Sequence, residues 1–231
     1  MTAHAAALKV LAGGAMTGSL KELAPKFEAA TGHKLTVHFA GTPELIKLAI
    51  SGEPFDLGVT PVDVFKNAEA RAKFAAAPLA DIARVGYGVA VRAGSPKPDI
   101  GTPEALKAAL LKAQSVTLYP ESAAGAYVMK TFDRLGISEA MKAKTRPQPP
   151  GKIAETVANG GAELGVFLTN VLIGPGVELA GAFPAELQQD LEFKGAVAAD
   201  SKETAAAQAF IDYLKSPEAM AVIVAKGMRA G

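Results

Sequence analysis

The segment Leu8–Leu48 constrains this chain most, because it spells out strand, turn, helix, strand, turn, helix in a single run. The apolar stretch Leu8–Leu11 leads into a glycine-rich turn, Gly13-Gly14-Ala15-Met16-Thr17-Gly18-Ser19. That turn opens a helix with Leu20, Leu23, Ala24 and Phe27 on one face. A second apolar stretch, Leu35–Ala40, ends at another helix start, Gly41-Thr42-Pro43-Glu44. Apolar runs of this length, alternating with a 3.6-residue stripe, predict parallel strands joined by crossover helices. Two helix N-termini then lie near the carboxyl ends of neighbouring strands. Their unpaired N–H groups and partial positive charge suit an anion.

The rest of the chain continues the alternation. Phe55–Thr60 reads as a buried strand, and Pro61 opens a helix to about Phe74 with Val62, Phe65, Ala68 and Ala72 as its stripe. Arg84–Val91 reads as the next strand, and Thr102-Pro103-Glu104 as a capped helix start. Ser115–Tyr119 is a strand followed by a helix to Leu135, stopped by Gly136. Arg146–Gly151 is a proline-rich loop, and a helix around Ala154–Ala158 leads into the strand Glu163–Leu168. Strands over Gly176–Phe183 and Glu192–Ala199 precede two closing helices, Glu203–Leu214 and Pro217–Lys226. Pro25 falls inside the first helix, where it removes a hydrogen bond and is expected to kink it. The fold class expected is α/β with parallel sheets.

Composition removes several function classes. The 231 residues are 49% hydrophobic, enough for a large core. The net charge of +1, with no basic run, excludes a nucleic-acid footprint. The absence of cysteine excludes thiol nucleophiles, disulfides and thiolate metal sites. No apolar run reaches the roughly 18 residues of a bilayer span. Ala3-His4-Ala5 fits the small-x-small rule of a signal-peptidase site, and is read as the stub of a removed export signal behind an added start methionine. A native start at Met1 is the alternative, and would place the protein in the cytoplasm.

Among motifs, Gly13–Ser19 has the glycine spacing of a phosphate loop but carries Ser19 where a lysine must reach the phosphates, and no G-x-G-x-x-G occurs. His33, at a helix end, reads as a solvated cation. His38 reads as a rim or buried histidine. The two make no metal site. Glu121, Asp56 and Asp63 read as caps or solvated acids. No metal or cofactor is expected. Tyr127, one turn into its helix, either faces the crevice or packs beneath it.

The turns now carry a resemblance. The segments VLAGGAMTGSLKELAPKFEAATG, HFAGTPELIKLAISGEPFDLGVT, LYPESAAGAYVMKTFDRLGI, GAELGVFLTN and AFIDYLKSPEAMAVIVAKG resemble the periplasmic molybdate-binding proteins of ABC transporters, which have the type II periplasmic-binding-protein fold. The resemblance covers essentially the whole length. It implies two α/β lobes, each a mainly parallel sheet flanked by helices. Lobe one would be residues 1–83 plus 194–231, and lobe two 84–193, with the ligand cleft between them. It implies a periplasmic monomer that captures a small anion by hinge closure and delivers it to a permease.

The family holds a tetrahedral oxyanion with serine hydroxyls, helix-start amides and a tyrosine hydroxyl. Here the first serine falls on Ala15, and the second in Gly41-Thr42-Pro43, where Thr42 keeps a hydroxyl but Pro43 has no N–H. A backbone amide falls at Ala124-Gly125, another near Pro150-Gly151, and the tyrosine falls on Leu168. The ligand set the resemblance implies is therefore Ala15, Met16, Thr17, Gly41, Thr42, Thr60, Ala124, Gly125, Tyr127, Leu168, Thr169 and Asn170. Thr17 and Thr42 would supply hydroxyls. Loss of two hydroxyl donors, each worth about 1.5–3 kcal/mol, turns the expectation from a bare oxyanion toward a small carboxylate with an apolar part. The alternative is an enzyme on the same scaffold, an isomerase or decarboxylase of a small carboxylate, with His38 or Glu121 as acid/base. A third reading, a molybdate or tungstate sensor, lacks a DNA-binding segment.

Overall fold

A computed structural model describes residues 5–231. Met1 and the stub residues Ala3 and His4 lie outside the described residues. The chain divides into two compact units, one running to Arg84 and resuming at Glu192, the other Val85–Leu191.

Unit 1 begins with β1 (Ala7–Gly13), α1 (Thr17–Thr31), β2 (Lys34–Ala40), α2 (Thr42–Ile50) and β3 (Leu57–Pro61), as the periodicity predicts. Helices α3 (Val62–Lys66) and α4 (Ala68–Arg71) and strand β4 (Ala80–Val85) complete its first pass. Unit 2 holds β5 (Tyr87–Arg92), α5 (Pro103–Lys112), β6 (Val116–Thr117), α6 (Ala123–Arg134), α7 (Ser138–Lys144), α8 (Pro150–Ala158), β7 (Leu164–Leu168) and β8 (Val177–Ala182). Strand β9 (Leu191–Val197) carries the chain back to unit 1, which closes with α9 (Thr204–Leu214), α10 (Pro217–Ala225) and the short β10 (Arg229–Ala230).

The unit 1 sheet has the order β10-β4-β9-β3-β1-β2. Its heart is parallel: β1 pairs with β2 and with β3. One face is covered by α2, α3 and α4, where Leu45, Val64, Phe65 and Phe74 pack together. On α1 the buried residues are Ser19, Leu20, Leu23 and Phe27, while Ala24, expected on that face, is only partly covered. Phe27 lies edge-on to Phe210 of α9, with ring centroids 4.9 Å apart. Pro25 stays inside α1, which runs unbroken from Thr17 to Thr31.

Several expectations need correction. The helix expected over Pro61–Phe74 is two short helices. Asn67 has left the helical region (ψ 118°) and caps α4 by accepting the Ala70 N–H at 2.9 Å. The buried positions are accordingly Val64, Phe65 and Ala70, not Val62, Ala68 and Ala72. The strand expected over Arg84–Val91 is two strands in different sheets, separated by Gly86. Gly151 lies in α8 rather than in a loop, because Pro150 occupies the first helical position, where its missing N–H costs nothing.

The α/β class holds, but the sheet of unit 2 (β6-β7-β5-β8) is not mainly parallel. Only β6 and β7 run parallel; β5 runs antiparallel to both β7 and β8. In unit 1, β9 likewise runs antiparallel to β3. The strands that carry the chain into and out of unit 2 are inserted against the direction of their neighbours, which alternation along the sequence does not reveal.

Lys194 on β9 is largely covered and bridges two carboxylates, Asp81 and, at 2.9 Å, Glu192. Hydrogen bonding to Asp81 first, and then to Glu192, holds its ammonium above the ordinary lysine range. The unfolded chain releases that proton near pH 10.4. The stabilisation is therefore whole below that pH and is lost as pH rises through the higher folded value. Lys194→Met should cost about 1 kcal/mol or less at pH 8. In urea unfolding, the gap between variant and wild type should be widest below the ordinary lysine range and shrink as pH rises above it.

Candidate functional site

In unit 1 the site is a product of strand register. Parallel pairing sets Gly13 beside Ala40 and Ala12 beside Val59, so β1, β2 and β3 finish at one edge of the sheet. A 3-10 turn, Gly14–Met16, leads from β1 into α1, and Gly41 is the N-cap of α2. Ala15, Met16, Thr17, Gly41, Thr42 and Thr60 are thereby gathered at that edge. Gly13 is required there: a Cβ would stand 2.7 Å from the Phe193 ring and 2.9 Å from Pro61.

The side chains differ in what they offer. Met16 and Thr60 are fully buried, and the Thr60 hydroxyl donates to the Pro61 carbonyl at 3.3 Å. The Thr17 hydroxyl, expected as a ligand donor, donates instead to the Gly14 carbonyl at 2.6 Å. Ala15 is half-buried and Thr42 is 8% exposed. Pro43 sits in the first turn of α2, leaving Thr42 and Glu44 to carry the N–H groups of that turn.

In unit 2, parallel pairing of Thr117 with Gly165 brings the ends of β6 and β7 to a common edge. From β6 the chain passes through Tyr119-Pro120-Glu121 to Ser122, the N-cap of α6. Ser122 accepts the Gly125 N–H at 2.9 Å and donates its hydroxyl to the Tyr119 carbonyl at 3.0 Å. The Gly125 amide, expected to face a ligand, is thus held by its own cap. Gly125 also packs on the loop backbone, since a Cβ would meet the Tyr119 carbonyl oxygen at 1.8 Å. Ala124 is buried beside it.

At the end of β7, Leu168 is 1% exposed, and Thr169 donates its N–H to the Gly86 carbonyl at 3.0 Å. Asn170 follows, partly buried. Tyr127 resolves in favour of packing: its hydroxyl donates to the Leu187 carbonyl at 2.8 Å, and its ring lies 4.7 Å from that of Tyr87. Six of the twelve residues thus lie in unit 1 and six in unit 2.

Sequence reasoning missed Gln188. Its amide clamps the start of β5, with Oε1 accepting the Tyr87 N–H at 2.7 Å and Nε2 donating to the Tyr87 carbonyl at 2.9 Å. The partners are 101 positions apart in sequence, so no local signal announces them. The histidines also find partners. His33, expected in solvent, is partly buried: its Nδ1 accepts the Ala6 N–H at 3.0 Å and its ring stacks on Phe27. His38 lies exposed, Nε2 3.4 Å from Glu44 Oε1. Glu121 is exposed beside the α6 cap. Among the described residues no cluster of three metal-ligating side chains occurs, and no helix is long and apolar enough to cross a membrane.

Removing the Ser122 hydroxyl frees the Gly125 N–H and leaves the Tyr119 carbonyl with only the Ser122 N–H at 3.4 Å. Ser122→Ala should cost about 1–2 kcal/mol, read as a lower urea midpoint, whereas Ser122→Thr, which keeps a hydroxyl able to accept and to donate, should retain most of the stability.

Residues 8–229 match the family model described as bacterial extracellular solute-binding protein. An aconitate isomerase of a Pseudomonas species is 33% identical over 96% of this chain and 87% of its own length. The molybdate-binding protein of Azotobacter vinelandii is 28% identical over 97% of this chain and 90% of its own. Among solved structures, the periplasmic molybdate-binding protein of A. vinelandii superposes with a TM-score of 0.78 at 19% identity, covering 96% of this chain and 98% of that one. The sulfate-binding protein of Mycobacterium tuberculosis superposes at 0.76 and 17% identity, covering 98% and 87%. Strand-end helix starts, an α/β fold in both units and a match over residues 8–229 make this protein a member of the bacterial extracellular solute-binding family.

Proposed function

We propose that the protein captures a small organic anion bearing one or more carboxylates, with the hinge closure its resemblance implies, and presents it to an ABC permease. One observation carries the reading. Where the family resemblance expects hydroxyl donors, the chain offers the methyl of Ala15 and the buried side chain of Leu168, while α1 and α2 still begin at the strand ends of unit 1, α2 short only of the N–H of Pro43. Such a cradle retains its attraction for negative charge and loses the donors that saturate four oxyanion oxygens. An apolar wall and a few amides suit a carboxylate on a carbon skeleton. Thr42 supplies the hydroxyl, and Ala15, Gly41, Ala124, Thr169 and Asn170 line the ligand. Met16, Thr60, Tyr127 and Leu168 support them from beneath.

A second reading rests on the relative named aconitate isomerase and on His38 lying beside Glu44. A base that takes a proton from one carbon of an unsaturated carboxylate and returns it to another isomerises it without any co-reactant. His38, partnered by Glu44, is the candidate base, with Glu121 as the other acid/base group.

Calorimetric titration with molybdate, tungstate, sulfate and small carboxylates, including cis- and trans-aconitate, separates these readings. Carboxylate binding with no oxyanion binding supports the proposal; tight molybdate binding sinks it. Conversion of one aconitate isomer to the other, followed by proton NMR and lost in His38→Ala, establishes the enzyme. Thr42→Ala should weaken carboxylate binding about tenfold to a hundredfold. Restoring a hydroxyl with Ala15→Ser should raise affinity for a tetrahedral oxyanion about tenfold.

A further inference from the structure

Strand β2 ends the unit 1 sheet, with β1 as its one neighbour among the described residues. The Lys34 N–H donates to the Ala6 carbonyl at 2.8 Å, which fixes the alternation along the strand. Lys34, Thr36, His38 and Ala40 turn their backbone groups toward β1, and Leu35, Val37 and Phe39 turn theirs outward. The Glu28 carboxylate of α1 closes the first of these, accepting the Leu35 N–H at 2.7 Å. Among the described residues the outward groups of Val37 and Phe39 meet no hydrogen-bond partner. Beside them a groove of about 220 Å³ runs between β2 and α1, lined by the partly exposed Leu35, Val37 and Phe39. We propose that Glu28 guards this edge against a second copy of the chain, and that without the guard β2 pairs antiparallel with β2 of that copy about an axis through Val37.

The edge is complementary to itself. Its outward residues lie symmetrically about Val37, so the pairing sets Val37 against Val37 and Leu35 against Phe39, each as a hydrogen-bonded pair. Their side chains share one face, and the apolar groove continues across the axis. On the other face Lys34 stands opposite Ala40 and diagonal to His38, which lies 3.4 Å from the Glu44 carboxylate. An ammonium thereby comes within reach of a carboxylate, and no like charges are set directly opposite. In this pairing the Phe39 carbonyl of the copy must reach the Leu35 N–H, where the Glu28 carboxylate now stands. Oxygen would face oxygen at both ends of the pair. The Leu35 N–H, with Lys34 adding to it, holds the Glu28 carboxyl below the ordinary carboxylate range, so the guard is charged at neutral pH. Unit 2 closes its β6 edge differently. Arg146 and Gln148 donate their N–H groups to the Val116 and Leu118 carbonyls, and the alternating Pro147 and Pro149 have no N–H to present outward. A proline closes an edge permanently, whereas a side-chain carboxylate can swing away.

Sedimentation equilibrium of the full chain without ligand tests this. Glu28→Ala and Glu28→Ser, both too short to reach Leu35, should self-associate at least tenfold more tightly than the wild type, about the worth of the recovered hydrogen bonds. Adding Val37→Lys or Val37→Glu to Glu28→Ala sets like charges opposite on the axis and should return each variant to monomer, while an equimolar mixture of the two should form a heterodimer. In the wild-type monomer the Leu35 amide should exchange its hydrogen at least tenfold more slowly than the amides of Val37 and Phe39. Monomeric Glu28 variants, a wild type that associates as tightly as they do, a charged mixture that does not pair, or protected Val37 and Phe39 amides in the monomer would each overturn the proposal.

Discussion

The parallel pairing of β1 with β2 is the constraint on which the rest of unit 1 depends. Because Gly13 and Ala40 are register partners, the turns that follow them start from adjacent points on one edge. Two helices then begin side by side, each with N–H groups that its own hydrogen-bond ladder cannot use. Side-chain period in a strand is two, so a slip of one residue would carry Leu8 and Val10 to the face that Lys9 now occupies. Leu8 and Val10, each 1% exposed, hold that register. The anion-attracting edge is thus a consequence of core packing.

Unit 2 reaches a similar edge with different means. Only β6 and β7 are parallel, and the loop between β6 and α6 is stiffened by the two bonds of Ser122 and by the contact of Gly125 with the Tyr119 carbonyl. A loop held in this way has its shape set by its own contacts.

What could be read from the sequence follows from the range of the interactions. The stripe of α1, the caps Thr102, Ser122 and Ser216, and the apolar runs of β1, β3 and β7 are local, and each marks its element in place. The break at Gly86 and the reversal of β5 and β9 are decided by partners far along the chain, and neither has a local signature. The same division holds for the site. Helix starts, Ala15 in the turn after β1 and Leu168 at the end of β7 were legible as residues in the sequence. The commitments of the Thr17 hydroxyl to Gly14, of the Gly125 amide to Ser122 and of the Tyr127 hydroxyl to Leu187 required coordinates. Gln188 was invisible because a glutamine carries no hint that it will finish a strand a hundred positions away.

The two units also differ in how their sequence is supplied. Unit 2 is one uninterrupted stretch, Val85–Leu191, whereas unit 1 draws on both sides of it. During synthesis, all the partners within unit 2 emerge consecutively, and its contacts can form as soon as Leu191 is free. Unit 1 must wait. Until β9 arrives, β3 lacks its antiparallel neighbour, and α1 lacks the covering helices α9 and α10, so Phe27 has no Phe210 to pack against. A chain interrupted after Leu191 would pair a finished unit with a sheet that has a bare inner edge and an uncovered apolar face. That intermediate is the form in which this protein is most open to aggregation, and most accessible to any machinery that must receive it unfolded.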